Sequence, residues 1–281
     1  MLKRVYLEIT NCCNLSCAFC HQTERKPRSL TAEEFDILTE KIRGKTDLLF
    51  FHLMGEPLLH PELPVFIQSA AGKGFRPALT TNGTLLADRG KELLDTPLNR
   101  VSLSLHAPEA NPSFSDPGYL HAALSFGKEA DRRGIWVAYR LWNRGGLERN
   151  NPAILDELHR AYPGEWEKTR NGARIAEKTY LELADRFEWP DMKAPEQSGE
   201  IFCYALRDQI GILSDGSVVP CCLDAEGIMA IGNLFDSPLD EILRSERARR
   251  IYEGFTAHRA EEELCGRCGY ASTKRHRARG N

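Results

Sequence analysis

Cys13, Cys17 and Cys20 stand in a C-x3-C-x2-C run that offers three thiolates to one centre. A cubane iron–sulfur cluster has four irons, so three protein ligands leave one iron open to a substrate or cosubstrate, whereas a structural site closes its shell with four ligands. The spacing therefore points to a centre that does chemistry, with a zinc knuckle as the alternative. A second set, Cys203, Cys221, Cys265 and Cys268, supplies four thiolates, the last two as C-x2-C, a spacing that a structural zinc ribbon also uses. Cys222 neighbours Cys221, and successive strand residues point to opposite faces, so only one of the two should ligate. Cys12 reads as a bystander beside Cys13.

The elements that must position these thiols follow from pattern. Apolar, strand-like runs at 5–9, 48–54, 76–81, 100–105 and 135–141 alternate with segments of helical length, the pattern of βα units on a parallel sheet. Thr31 and Glu34 make a capping box, after which Phe35, Leu38 and Ile42 fall on one helical face. Further helices are expected at 62–72, 87–95, 120–134 and 152–161, and a sixth strand at 179–184. Barrels of this kind place active sites at the C-terminal ends of their strands, and the first cysteine loop follows the first strand. Beyond residue 150 the pattern is irregular up to a linker ending near residue 199. A second unit then begins near Ile201, with a hairpin of 209–213 and 217–221 around Asp215-Gly216 and a single helix at 238–254. The expected division is a core at 1–195, a partial TIM-like (β/α)6 barrel of α/β class, and a small α+β unit at 196–281.

Composition narrows the function classes. The 281 residues are 42% hydrophobic and 27% charged with a net charge of −3, which argues against an extended nucleic-acid footprint despite a basic tail at 274–279. No apolar run reaches bilayer-spanning length, and the N-terminus lacks the apolar core of a signal peptide, so the expected address is cytoplasmic with no membrane partner. Nine cysteines in that compartment point to metal rather than to disulfides.

The first loop, with Phe19 before its last cysteine, resembles the signature of the radical S-adenosylmethionine (SAM) superfamily. The resemblance implies a [4Fe–4S] cluster on Cys13, Cys17 and Cys20, with SAM chelating the open iron. It also implies a 5′-deoxyadenosyl radical that abstracts hydrogen from substrate, and a low-potential electron donor such as flavodoxin or ferredoxin. His52, Leu53, Met54, Gly55, Glu56 and Pro57 resemble the family's Gly-Gly-Glu-Pro motif, with Met54 in place of the first glycine, so Gly55 and Glu56 would face the SAM ammonium. Asn82 lies in a Thr-Asn-Gly segment similar to the family's. Ser104, ending the fourth strand, would face the SAM ribose or carboxylate, and Arg140 on the fifth could pair with that carboxylate. A plain turn remains the alternative for Asn82, and a surface or helix-facing arginine for Arg140. His21, His52 and His106 lie near the expected mouth without an assigned role.

The second set resembles the twitch domain, a short relative of the SPASM domain, which holds one auxiliary [4Fe–4S] cluster; its Gly-x4-Cys pattern selects Cys221 over Cys222. Several segments resemble the 2-deoxy-scyllo-inosamine dehydrogenase type of twitch enzyme, in which the arginine of Asn-Arg-Gly-Gly helps bind substrate, so Arg144 inherits that expectation. The match departs at Leu223, where a carboxylate is expected, with Asp224 following. The implied activity is hydrogen abstraction from a small polar substrate (a sugar, aminocyclitol or nucleoside), with Glu8, Arg144 and Asp224 beside it and the auxiliary cluster as electron acceptor. The alternatives are a radical SAM enzyme that modifies a peptide, for which the short N-terminus leaves no leader-binding domain, a lyase on a modified nucleoside or nucleotide, and a zinc-binding interaction protein.

Overall fold

The computed structural model describes residues 1–197 and 200–271; the basic run at 274–279 lies outside them. Six parallel strands come in the expected order: β1 (Arg4–Leu7), β2 (Leu48–Phe50), β3 (Arg76–Thr81), β4 (Arg100–Ser104), β5 (Trp136–Arg144) and, later in the chain, β8 (Thr179–Asp185). Helices α1 (Ala32–Lys41), α2 (Leu63–Gly72), α3 (Leu86–Leu94), α4 (Tyr119–Arg132) and α5 (Asn151–Ala161) connect or flank them. The capping box forms: Glu34 N donates to Thr31 Oγ1 at 3.2 Å, and Thr31 N donates to Glu34 Oε2 at 2.9 Å.

Strand alternation sorts the two faces of the sheet. Val5, Leu7, Leu49, Leu79, Val101, Leu103, Val137, Tyr139, Leu141 and Leu181 turn to the helices and join Phe35, Phe66 and Ala123 in one continuous core. Arg4, Tyr6 and Glu8, with Arg100, Ser102 and Ser104, occupy the alternate positions and line the concave inner face. That inner wall carries most of the polar side chains, whereas the helix-packed face is apolar but for hydroxyls such as that of Tyr139, which bonds Tyr162. Burying the apolar set at about 25 cal/mol per Å² drives closure, and the polar set is left to do chemistry.

Three features differ from expectation. Between α5 and β8 the chain forms β6 (Glu167–Thr169) and β7 (Gly172–Arg174), an antiparallel hairpin on the edge of β8. Runs of three residues are too short to leave a readable periodicity. The second unit does not pack as a separate sheet: β9 (Gln209–Ile212) pairs in parallel with β1, from Arg4 opposite Gln209 to Leu7 opposite Ile212. With β10 (Ser217–Val219) and β11 (Gly232–Asn233) it extends a continuous eleven-stranded sheet ordered β11-β10-β9-β1-β2-β3-β4-β5-β8-β7-β6. The helix expected at 238–254 is two, α6 (Leu239–Leu243) and α7 (Glu246–Thr256), because Ser245 leaves the helical conformation and its hydroxyl caps Ala248 N at 3.3 Å. A last short helix, α8 (Glu263–Gly266), carries Cys265. Among the described residues no helix is long and apolar enough to cross a membrane.

Candidate active site

The loop after β1 is held by its own polar side chains. Asn11 Nδ2 donates to Lys26 O at 2.9 Å while its Oδ1 accepts from Arg28 N at 2.8 Å, and Cys12 N donates to Thr10 Oγ1 at 3.1 Å. Cys20 N then closes a turn on Cys17 O at 2.9 Å, gathering the three thiols on one side of the loop. Two amides address the sulfurs: Asn111 Nδ2 stands 3.0 Å from Cys17 Sγ, and Asn82 Nδ2 stands 4.0 Å from Cys13 Sγ. Amide donors suit a thiolate that carries cluster charge. Sequence reasoning missed Asn111, since an asparagine before proline reads as a turn and nothing local ties it to Cys17, 94 positions away. Burial pushes all three thiols upward, Cys17 to about 11, so they ionise on ligation.

Gly55 makes the adjacent approach possible. It has φ +76°, and a Cβ there would stand 2.4 Å from Thr10 O and 2.8 Å from Cys12 O. Any side chain would push the 54–57 turn off the cysteine loop, so the turn and the thiols form one cradle. This is the fit expected of a site that holds a cluster and a ligand against backbone.

Glu56 is buried and its carboxylate is largely engaged. Oε1 accepts from Leu58 N at 2.9 Å and Thr81 Oγ1 at 2.7 Å, and Oε2 accepts from Asn82 N at 2.7 Å. The residue thus bolts the 54–57 turn to the 81–83 turn, and burial raises its carboxyl despite those donors. Asn82, held by it, donates to Asn14 Oδ1 at 2.9 Å. Ser104 ends β4 level with Arg140, which is level with Glu182 on β8. Arg140 faces inward: Nε bonds Glu182 Oε2 at 3.2 Å, Nη1 bonds Thr80 Oγ1 at 3.1 Å, and its guanidinium lies over Trp142. Burial pulls Arg140 below the usual arginine range, and Arg100 adds to that. Phe19 packs on His106 with ring centroids 4.9 Å apart, and both border a small cleft whose lining includes Trp142, Asn143, Leu147 and Arg186.

The three residues expected beside substrate each have partners of their own. Glu8 is fully buried, accepting from Arg25 Nη2 at 2.7 Å, Ser214 Oγ at 3.0 Å, Ser214 N at 3.2 Å and Met54 N at 3.2 Å. Asp224 receives Ile228 N at 2.9 Å and Met229 N at 2.8 Å, so it shapes a loop whose Met229 Sδ touches Cys265 Sγ at 3.3 Å. Arg144 is the last residue of β5, half-exposed, and pairs with Asp185 at 3.1 Å.

Cys203, Cys221, Cys265 and Cys268 come together. Burial first, then neighbouring thiols, pushes Cys221 and Cys265 far above the usual thiol range: Cys222 ahead of Cys203 and Cys265 at Cys221, and Cys203 ahead of Cys268 at Cys265. Cys222 turns instead to the Tyr6 hydroxyl and Arg4, on the inner wall at β1. Among the described residues no group of three or more His, Cys, Asp or Glu has the spacing of a single metal ion. A cubane spreads its thiolates around a wider cage, so that spacing does not bear on a cluster. Four thiols brought together, Cys265 buried and the other three half-buried, fit one.

Fold and site together define a class: a partial α/β barrel with a three-thiol loop at the strands' C-terminal mouth and a four-thiol set drawn from both sides of β9 in the chain. Residues 7–133 match the radical SAM superfamily and residues 203–269 match the iron–sulfur cluster-binding domain SPASM. The chain is a radical SAM enzyme with a C-terminal auxiliary-cluster domain; its cofactors are a [4Fe–4S] cluster, SAM and an auxiliary iron–sulfur cluster, and the zinc alternatives give way. It is 32% identical over 111 residues to a probable GTP 3′,8-cyclase of Pyrobaculum aerophilum, a match over 38% of this chain and 36% of that protein. A match at 32% to the Metallosphaera sedula protein of the same description likewise spans 35% of its length. The Sulfolobus acidocaldarius counterpart matches at 25% over 89% of this chain and 91% of its own. Among solved structures, BtrN in complex with AdoMet and 2-DOIA superposes with a TM-score of 0.63 at 17% identity, over 95% of this chain and 93% of that one. The enzyme anSMEcpe with bound AdoMet gives 0.62 at 13%, over 89% and 82%. At those identities the likeness is one of fold.

Proposed function

We propose that the protein is a radical SAM oxidoreductase that removes hydrogen from a small polar substrate, a sugar, aminocyclitol or nucleoside, inside the barrel. The observation that carries this reading is the placement of the two thiol sets about one polar inner wall. Cys13, Cys17 and Cys20 follow the C-terminal end of β1, whereas Cys221 follows Pro220, whose carbonyl receives Leu206 N close to the start of β9 and β1. When bound, the first cluster with SAM supplies a 5′-deoxyadenosyl radical, and the auxiliary cluster supplies a one-electron acceptor.

In this reading, Gly55 and the neighbouring carbonyls receive the SAM ammonium. Glu56 acts chiefly by fixing the 54–57 and 81–83 turns, with Asn82 and Asn111 donating toward the cluster sulfurs. Ser104 and Arg140 meet the SAM ribose and carboxylate, and Phe19 with Trp142 walls the cleft against water. Glu8 and Asp224 hold the inner loops in place, and Arg144 at the rim reaches substrate on leaving Asp185. A flavodoxin or ferredoxin supplies the low-potential electron, and the setting is cytoplasmic.

A second reading, radical rearrangement or cleavage of a nucleotide without net oxidation, draws on the near full-length likeness to the probable GTP 3′,8-cyclase of Sulfolobus acidocaldarius. The experiment is SAM cleavage by reduced, reconstituted enzyme challenged with separate pools of sugars and aminocyclitols, nucleosides, nucleotides and peptides. Stimulated 5′-deoxyadenosine release with a two-electron-oxidised sugar or nucleoside product supports the first reading. Stimulation by nucleotides alone, with an isomerised or cleaved product, moves the assignment to the second, and stimulation by peptides alone sinks both.

A further inference from the structure

The inner wall is laid out in rows. Thr80, Ser102, Ala138 and Tyr180 share one, and Ser104, Arg140 and Glu182 share the row nearer the mouth. Arg100 stands two residues deeper on β4. Its Nη2 bonds Glu182 Oε1 at 2.8 Å while Arg140 takes Oε2, so two guanidinium groups share one carboxylate. The other inner carboxylate, Glu8, is matched by Arg25. Arg4 lies beside the Tyr6 phenol, which burial keeps protonated, and burial holds His52 neutral by pulling it down to about 3. Among the described residues, Arg25 is matched by Glu8, while Arg100 and Arg140 share the one carboxylate of Glu182 between them.

Donors on this wall are also idle. Among the described residues, the fully buried Ser102 hydroxyl has no partner, and the buried Nε atoms of Arg100 and Arg4 have none. Two half-buried guanidinium groups on one carboxylate, beside unused buried donors, leave a positive excess that an anion would complete.

We propose that this wall binds an anionic group of the substrate, a carboxylate or a phosphate, with Arg100 and Ser102 as direct donors and Arg140 fixed beside them by Glu182 and Thr80. The inference rests on the reading of the barrel interior as the substrate chamber. It narrows that substrate to an acid or phosphate ester. At roughly 3.3 Å per residue, Ser102 lies roughly 7 Å deeper than Ser104, so the anion acts as a handle that leaves the reacting carbon toward the mouth. A SAM carboxylate on Arg140 would still leave Arg100 and Ser102 free for it.

The test uses full-length, reconstituted enzyme with SAM, inorganic phosphate and acetate as probes, and sodium chloride at matched ionic strength as control. Binding is read by thermal shift and by indole fluorescence, Trp136 and Trp142 both lying on β5. Saturable binding of either probe is the expected result, phosphate alone indicating an ester and acetate alone a carboxylate. Arg100→Gln should weaken it at least about tenfold and Ser102→Ala about threefold, while the remote Arg43→Gln should not change it. Since the Ser102 hydroxyl has no protein partner, Ser102→Ala should fold normally even where Arg100→Gln does not. Neither probe binding, wild-type affinity in both inner-wall variants, or equal weakening by Arg43→Gln overturns the proposal. Reductive SAM cleavage on the same samples separates the two readings. Its absence in the wild type sinks the proposed function, and its presence without anion binding sinks only this site.

Discussion

The two cysteine sets are built in opposite ways. Cys13, Cys17 and Cys20 come from one loop, with Cys13 exposed and the mouth open beside it. Cys203, Cys221, Cys265 and Cys268 come from three separated segments, with Cys265 buried and the other three half-buried. An open set, braced by backbone and by Asn82 and Asn111, can admit a cosubstrate to its fourth iron. In the proposed function the four-thiol set, with no open iron, passes electrons. On that reading, one metal chemistry is divided between reaction and redox exchange by how the chain delivers its ligands.

Replacing ligands set by set gives the largest effect. Cys17→Ala should abolish SAM cleavage and lower iron from about eight to about four per chain, whereas joint replacement of the four C-terminal cysteines should lower iron equally yet spare SAM cleavage. Loss of SAM cleavage in the second variant would break the division of labour. Glycine variants sharpen it. Gly55→Ala, with its Cβ 2.4 Å from Thr10 O at positive φ, should destabilise by about 3 kcal/mol and disturb the first cluster. Gly269→Ala, whose Cβ would stand 2.6 Å from Glu188 O, should cost about 2 kcal/mol and disturb only the second. Denaturant melts with electron paramagnetic resonance of each reduced cluster would read both.

His52, on the wall between the sets, gives a smaller, pH-dependent signal. Its folded pKa of about 3 lies below the ordinary 6.5, so the unfolded chain binds the extra proton between those values. Stability contributed by the neutral ring is complete above about pH 6.5 and falls by about 1.4 kcal/mol per unit as pH drops below it. His52→Gln can still accept from Thr80 N and should flatten that slope between pH 6 and 5 in urea unfolding, with an unchanged slope counting against a buried neutral ring. Thr31→Ala, which unmakes the α1 cap far from both clusters, should cost about 1 kcal/mol in thermal melts without altering iron content.

Legibility follows the same contrast. The first loop could be read because its ligands and the strand before it are contiguous, and the α1 cap because Thr31 and Glu34 are three residues apart. The C-x2-C of Cys265 and Cys268 was equally visible. The partners of Glu8, Glu56 and Asp224 were not, since each is satisfied by backbone or side-chain donors that sequence spacing does not locate. Asn111 is the clearest miss, a cluster-facing amide brought to Cys17 only by the turn after β4.

The sequence alone determined the chemistry on offer: seven cysteines in two spacings, parallel βα periodicity, and turn residues that put the first set at a strand's C-terminal end. Local hydrogen bonds and period act over a few residues, which is why they can be read directly. Tertiary structure decided the pairing of β9 with β1 and the sharing of Glu182 by Arg100 and Arg140. Those outcomes depend on which apolar faces close on one another across long separations. Charge balance in the barrel is fixed only once that closure has removed the water.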